Sequence, residues 1–187
     1  MRYYTSDLHI GHKKLLEKGY RPFSSIEEHD AVIQDNINRV VGKTDTLVII
    51  GDVSFLNVKG TLDWLGGITC RNIHVVFGNH DSTTRKLAKR FPKTFVRASD
   101  CAEFNTKVGD TQWIFYCSHC AHRAWPKCRY GSINLFGDAH GTMPDNGSRS
   151  MDVGVDTHLF VPWSETDIIE IMKDRPVVFE GQQNPNR

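Results

Sequence analysis

The sequence has no apolar run that approaches the roughly 18 residues needed to cross a bilayer, so a membrane-spanning chain is excluded. Net charge is also nearly absent: 23 Lys and Arg stand against 22 Asp and Glu, giving +1 with His neutral, and the two signs are mixed along the chain. No polybasic arm therefore announces a nucleic-acid partner. The N-terminal stretch Met1 to Asp7 lacks a charged segment followed by an apolar run and a small-residue cleavage site, so a cytoplasmic protein is expected. Cysteines number five, an odd set for a disulfide framework, and reduced thiols are the expectation, with Cys70 and Cys101 as buried apolar residues. Internal repeats, low-complexity tracts and linkers are missing too. A length of 187 residues then suggests one domain over residues 1–180, with a frayed Gln, Asn and Pro-rich tail at 181–187.

What is present is an alternation of apolar runs with helical spacings. Arg2 to Ser6 reads as a short strand. Ser24 with Glu27 suggests a capping box, and Ile26, Ile33, Ile37, Val40 and Val41 recur at helical spacing as far as Gly42. Thr46 to Ile50 is a continuous apolar run, as in a strand buried on both faces, and Ile73 to Phe77 repeats it. Helices are expected around Lys59 to Leu65 and over Ser82 to Arg90, the latter capped by Asp81 or Ser82. Strand and helix in turn predict βαβ units and a largely parallel sheet. After Pro92 the texture is strand-rich, with segments near 95–98, 102–107, 111–116, 132–136 and 151–155, a hairpin turn at Gly109-Asp110, a helix near Ser164 to Met172 and a last strand at Pro176 to Phe179.

The chemistry sits where the strands end. Asp7 and His9 follow the first strand, Asp52 the second, and Asn79, His80 and Asp81 the third; His119 and then Asp138 and His140 follow two later ones. In an open α/β sheet the carboxyl ends of strands are where sites are assembled. Taken singly, an Asp after Gly is usually a turn residue and a lone His a satisfied side chain. Five strand ends carrying ligand types together point to divalent metal, because clustered carboxylates repel one another unless cations hold them.

The series Asp7-Leu8-His9, Gly51-Asp52, Gly78-Asn79-His80-Asp81, His119 and Gly137-Asp138-Ala139-His140 resembles the calcineurin-like metallophosphoesterase superfamily, most of all its small stand-alone bacterial and phage members. Thr5 to His12, Arg21-Pro22-Phe23 and Met151 to Asp156 share the likeness, which runs to about residue 172. The resemblance implies an α/β fold, a two-sheet αββα sandwich of mixed sheets with the metal site at strand C-terminal ends. It also implies that Asp7, His9 and His140 hold one metal, that Asn79, His119 and Asp138 hold a second, and that Asp52 bridges them. The family usually has His where this chain has Asp138, and a carboxylate there favours Mn²⁺ or Mg²⁺ over Zn²⁺, with Ni²⁺ and Fe²⁺ as further candidates.

The implied reaction is phosphoester hydrolysis by water activated between two divalent ions. His80 is the candidate general acid, with Asp81 beside it to set its tautomer; a plain electrostatic donor to phosphate is the other reading. His12, Arg123 and Trp125 are candidate substrate contacts, Arg123 for phosphate and Trp125 as a stacking platform; His12 is equally legible as a solvent-exposed helix start, and a loop Trp more often serves packing. Cys117, Cys120, His122 and Cys128 raise a structural zinc site, against which stands the alternation that turns Cys117 into the core. A small phosphodiester, such as a nucleotide diester, is the favoured substrate, because the sandwich leaves no cap to enclose a monoester. A phosphomonoesterase, a nuclease that draws on Lys127, Arg129 and Arg149, and a non-catalytic protein-interaction scaffold are the alternatives.

Overall fold

The computed structural model describes residues 1–177. In chain order its elements are β1 (Arg2–Thr5), α1 (Lys13–Glu17), α2 (Ile26–Val40), β2 (Thr46–Ile50), α3 (Val58–Gly66), β3 (Asn72–Val76), α4 (Ser82–Arg90), β4 (Arg97–Ser99), β5 (Cys101–Val108), β6 (Thr111–Ser118), β7 (Ile133–Phe136), β8 (Ser150–Asp152), β9 (Trp163–Ser164) and α5 (Glu165–Met172). The last expected strand runs past residue 177, and the expected tail at 181–187 lies wholly outside the described residues.

Two mixed sheets form. The first has the order β4-β3-β2-β1-β9, parallel from β4 to β1 and closed by β9 antiparallel to β1. The second has the order β5-β6-β7-β8, with an antiparallel β5–β6 hairpin and parallel pairing from β6 to β8. The hairpin turns at Gly109, whose φ of 60° lies in the left-handed region that glycine adopts without strain. The short α1 and β9 carry too few residues to show a period and are not foreseen from the sequence.

The apolar run of β2 is buried on both faces for a visible reason. Leu47 and Ile49 pack with Ile33 and Ile37 of α2, Leu65 of α3 and Leu87 of α4, whereas Val48 and Ile50 join Phe115, Cys117, Ile133 and Leu135 between the sheets. The layers are therefore helices, first sheet, second sheet. An outer helical layer over the second sheet does not form among the described residues: α5 instead seats Ile168 and Met172 in the inter-sheet core. Loop 119–132 reaches the outer face, where His122 meets Tyr116 edge-on at 5.6 Å.

Two local readings shift. The helix cap is Ser25, which accepts from the Glu28 amide at 3.1 Å while the Glu28 carboxylate accepts from the Ser24 amide at 2.8 Å, so the capping interaction lies one residue later than the Ser24 and Glu27 pair suggests. Cys101, expected to be buried, is exposed, because alternation along the edge strand β5 turns Ala102 inward in its place.

Candidate metal centre

The loops after β1, β2, β3, β6 and β7 meet at one edge of the sheets. Just past β1 and β2 the chains stay zipped, with the Asp7 amide donating to the Gly51 carbonyl at 3.0 Å and the His9 amide to the Asp52 carbonyl at 2.9 Å. The later loops are tied in by the Gly137 amide on the His119 carbonyl at 2.8 Å and the His80 amide on Asp52 Oδ1 at 2.9 Å.

Backbone strain concentrates here. Among the described residues eight non-glycine positions have left-handed φ, and five are Asp7, His9, Asp52, Asp138 and His140, at 48° to 64°. Each such residue costs about 1 kcal/mol or more, and strain of this kind collects where side chains must be aimed at a site. The chain also passes close to itself: a Cβ on Gly78 would lie 2.6 Å from the Asp52 amide nitrogen and 3.0 Å from His119 Cδ2. Glycine is the residue that fits there.

Asp7, His9 and His140 bring ligand atoms within 4.8 Å of one another, and so do Asp7, Asp52 and His119. Asp7 is common to both groups. Asp52 points one oxygen to each side, Oδ2 at 3.5 Å from His9 Nε2 and Oδ1 at 3.5 Å from His119 Nε2. Asn79 and Asp138 complete the far side, their Oδ1 atoms 3.0 Å and 3.6 Å from His119 Nε2. All seven candidate ligands are thus brought together.

The hydrogen bonds decide what these atoms can accept. His119 Nδ1 lies 2.8 Å from the Ile50 carbonyl, which can only accept, so the proton sits on Nδ1 and Nε2 presents a lone pair. That lone pair faces three oxygens. His9 Nε2 is buried with no hydrogen-bond partner, while its Nδ1 is 3.1 Å from His12 Nδ1. Lone pairs and carboxylates facing one another across a gap fit a divalent cation and little else. The donor set therefore suits metal on both sides of Asp52.

Charge is unevenly held across the cluster. Burial works to raise Asp7, but the histidines His9, His140 and His119 bring its carboxyl below the usual range, whereas burial pushes Asp52 up. His12 is driven down to about 4 by burial and by His9 and His80, and so stays neutral at physiological pH. Its ring stacks on half-exposed Phe55 at 3.8 Å, and Phe55 lies 5.2 Å from the ring of exposed His80.

Other expected contacts look different in three dimensions. Asp81 does not set the tautomer of His80: Oδ2 accepts from the amides of Asp52 (2.9 Å) and Gly78 (2.8 Å), and Oδ1 from the Val53 amide (3.0 Å) and the Thr84 hydroxyl (2.7 Å). Buried and fully engaged, it braces the loop that carries Asp52. Trp125 is not a stacking platform, since its indole is buried and donates to the Ser132 carbonyl at 3.0 Å. Arg123 is exposed on the same loop. Cys117, Cys120, His122 and Cys128 do not form a metal-sized cluster among the described residues; Cys120 instead lies 3.8 Å from Asp138.

Sequence reasoning assigned no role to the residues that aim the ligands. His140 Nδ1 is 2.7 Å from Asp156 Oδ2, which leaves Nε2 toward Asp7. Buried Arg21 forks onto both Asp156 oxygens at 2.9 Å and 2.8 Å and donates to the carbonyls of Leu8 (3.1 Å) and Asp7 (2.6 Å). Its remaining N–H meets His29 Nε2 at 2.8 Å, so His29 must accept there and donate from Nδ1 to Asp30. The signals available in the sequence are Arg21-Pro22-Phe23 and Met151 to Asp156, which carry the family likeness without showing what they hold.

Comparison with known proteins finds phage relatives of this chain. The chain is 32% identical over 163 residues to the gene 66 protein of Mycobacterium phage L5, covering 75% of this chain and 78% of that protein. It is 37% identical over 186 residues to the gene 66 protein of Mycobacterium phage D29, covering 87% and 92%. A protein of unknown function from Aquifex aeolicus superposes with a TM-score of 0.67 at 19% identity, covering 91% of this chain and 98% of that one. An archaeal phosphodiesterase gives a TM-score of 0.45 at 16% identity, covering 82% and 81%. No family model matches the chain. No helix among the described residues is long and apolar enough to cross a membrane.

Proposed function

This chain belongs to the family of the mycobacteriophage gene 66 proteins, and we propose that it is a divalent-metal-dependent phosphoesterase of the calcineurin-like kind that acts on phosphodiesters. The observation that carries the reading is the lone pair of His119 Nε2, held by the Ile50 carbonyl to face the oxygens of Asn79, Asp52 and Asp138, beside a buried His9 Nε2 with no partner. In the proposed arrangement Asp7, His9 and His140 hold one ion, Asn79, His119 and Asp138 hold the other, and Asp52 lies between them. Two such ions, when bound, supply Lewis acidity toward phosphoryl oxygens and a water acidic enough to attack at neutral pH.

The protein's own groups do the rest. Asn79, His80 and Asp138 are exposed, so the site opens to solvent and admits a diester with two substituents. In this reading His80, exposed and beside Phe55, donates a proton to the departing oxygen. Neutral His12 hydrogen-bonds His9 and keeps its ring turned toward the carboxylates. Asp138, an oxygen donor, favours Mn²⁺ at the second position, with Mg²⁺, Fe²⁺, Ni²⁺ or Zn²⁺ as substitutes.

The test is hydrolysis of bis-p-nitrophenyl phosphate beside p-nitrophenyl phosphate, after metal is stripped and Mn²⁺, Mg²⁺, Ni²⁺ or Zn²⁺ is added back singly. Diester turnover restored by Mn²⁺ is the expected outcome. Absence of turnover with every metal would overturn the proposal.

A further inference from the structure

Adjoining the candidate metal centre is a cavity of about 410 Å³, within the range that holds small organic molecules. Asp138 and His140 form the wall it shares with the centre, so a phosphoryl group held there would project a substituent into it. Leu15, Tyr20 and Ala139 give it an apolar side.

Its charged lining is already committed. Arg21 is the one cation among the lining residues, and all five of its N–H groups have partners: Nε and one Nη2 hydrogen on Asp156, the others on the Asp7 and Leu8 carbonyls and His29. Nothing on it remains for an incoming anion. Asp156 is paired with Arg21 and hydrogen-bonded by His140, and exposed Asp138 adds negative charge. Lys18 lies over the Tyr20 ring at 5.8 Å, outside the lining residues. A second phosphate in this cavity would meet the Asp138 and Asp156 carboxylates and no uncommitted cation among the lining residues, with the Tyr20 hydroxyl as its neutral donor and the Thr142 hydroxyl already given to the Ala139 carbonyl, whereas an uncharged, partly apolar group would bury its surface against Leu15 and the Tyr20 ring.

The geometry points to a substrate class: phosphodiesters in which one ester substituent is an uncharged organic group up to nucleoside size, rather than polyphosphates or the phosphate-repeating chain of a nucleic acid. This rests on the phosphoesterase reading above. In the reaction, the oxygen of water adds to phosphorus and gives up a proton, one P–O ester bond breaks, and the leaving oxygen takes a proton, so that a phosphomonoester and an alcohol result.

The experiment compares three p-nitrophenyl diesters on the Mn²⁺-loaded protein: the methyl ester, the thymidine 5′ ester, and the thymidine 5′ ester that carries a 3′ phosphate. A kcat/KM about tenfold higher for the thymidine than for the methyl ester is expected, with the gain lost when the 3′ phosphate is added. Thr142→Trp, which fills the cavity, and Tyr20→Ala, which removes an apolar wall, should each bring the thymidine-to-methyl ratio toward one. Equal rates for methyl and thymidine esters, a faster bisphosphate, or a ratio unmoved by both variants would overturn the assignment of the cavity. Failure to cleave any of the three would instead overturn the phosphoesterase reading on which it rests.

Discussion

His140 Nδ1 stands 2.7 Å from Asp156 Oδ2, and the same carboxylate is clasped by the guanidinium of Arg21. The direction of one candidate ligand is thus set by two residues that bind nothing themselves. Partners that orient a ligating histidine are worth about 10- to 100-fold in metal affinity. Asp156→Ala should weaken Mn²⁺ binding by that order in calorimetric titration of the stripped protein, and an unchanged affinity would contradict the orienting role.

Asp156 also links stability to pH. Burial opposes its ionisation, but hydrogen bonds from His140 and Arg21 outweigh this and bring it down to about 2, against an ordinary value of 3.8. A carboxyl with a depressed folded-state pKa stabilises above its unfolded value and loses that contribution as pH falls through the folded one. The metal-free protein should therefore lose on the order of 2 kcal/mol from this group between about pH 4 and 2. Urea unfolding across that window should show a shallower decline for Asp156→Asn, and parallel curves would remove the assignment.

Asp52 reaches His9 with one oxygen and His119 with the other. Asp52→Asn replaces a charged donor with a neutral one on each side and should lower diester turnover by at least about 100-fold with every metal, as removal of a group that acts in the transition state does. Retained turnover would sink the two-ion arrangement.

His80 has no carboxylate partner in Asp81, so a proton-donating role depends on its position at the rim. His80→Ala should slow esters with poor leaving groups by about 100-fold or more and leave nitrophenyl esters less affected. Equal losses on both would assign His80 to electrostatic contact with phosphate.

Asp138 stands 3.6 Å from His119 Nε2 and supplies oxygen on that side. Asp138→His should shift the activity profile toward Zn²⁺ and Ni²⁺ relative to Mn²⁺. A profile identical to that of the parent would show that the residue at 138 is no ligand.

Much of the site was legible before the fold was known, because strand-end chemistry is local. Asp7, Asp52 and Asn79 each follow a short apolar run, and a run of five such residues buried on both faces has little choice but to be a central strand. The neighbours of these residues were less legible. Asp81 sits beside His80 in sequence, yet backbone amides at Asp52, Val53 and Gly78 claim its oxygens. Trp125 lies on a polar loop, yet that loop folds down and buries the indole. For Asp81 the neighbour in sequence lost to amides that packing supplies, and for Trp125 the fold of the loop, which no local pattern reveals, turned the indole inward.

The sequence alone determined which residue types stand at the ends of which strands, and with them the parallel first half, the hairpin at Gly109 and the ligand chemistry, since apolar period and turn residues act over a few positions. Only the tertiary structure decided the aim of those ligands. Arg21 meets Asp156 across 135 positions and Asp138 meets Asp7 across 131, distances at which no local pattern operates. Sheet order brings them together, and the left-handed turns at Asp7, His9, Asp52, Asp138 and His140 persist because the surrounding hydrogen bonds hold them.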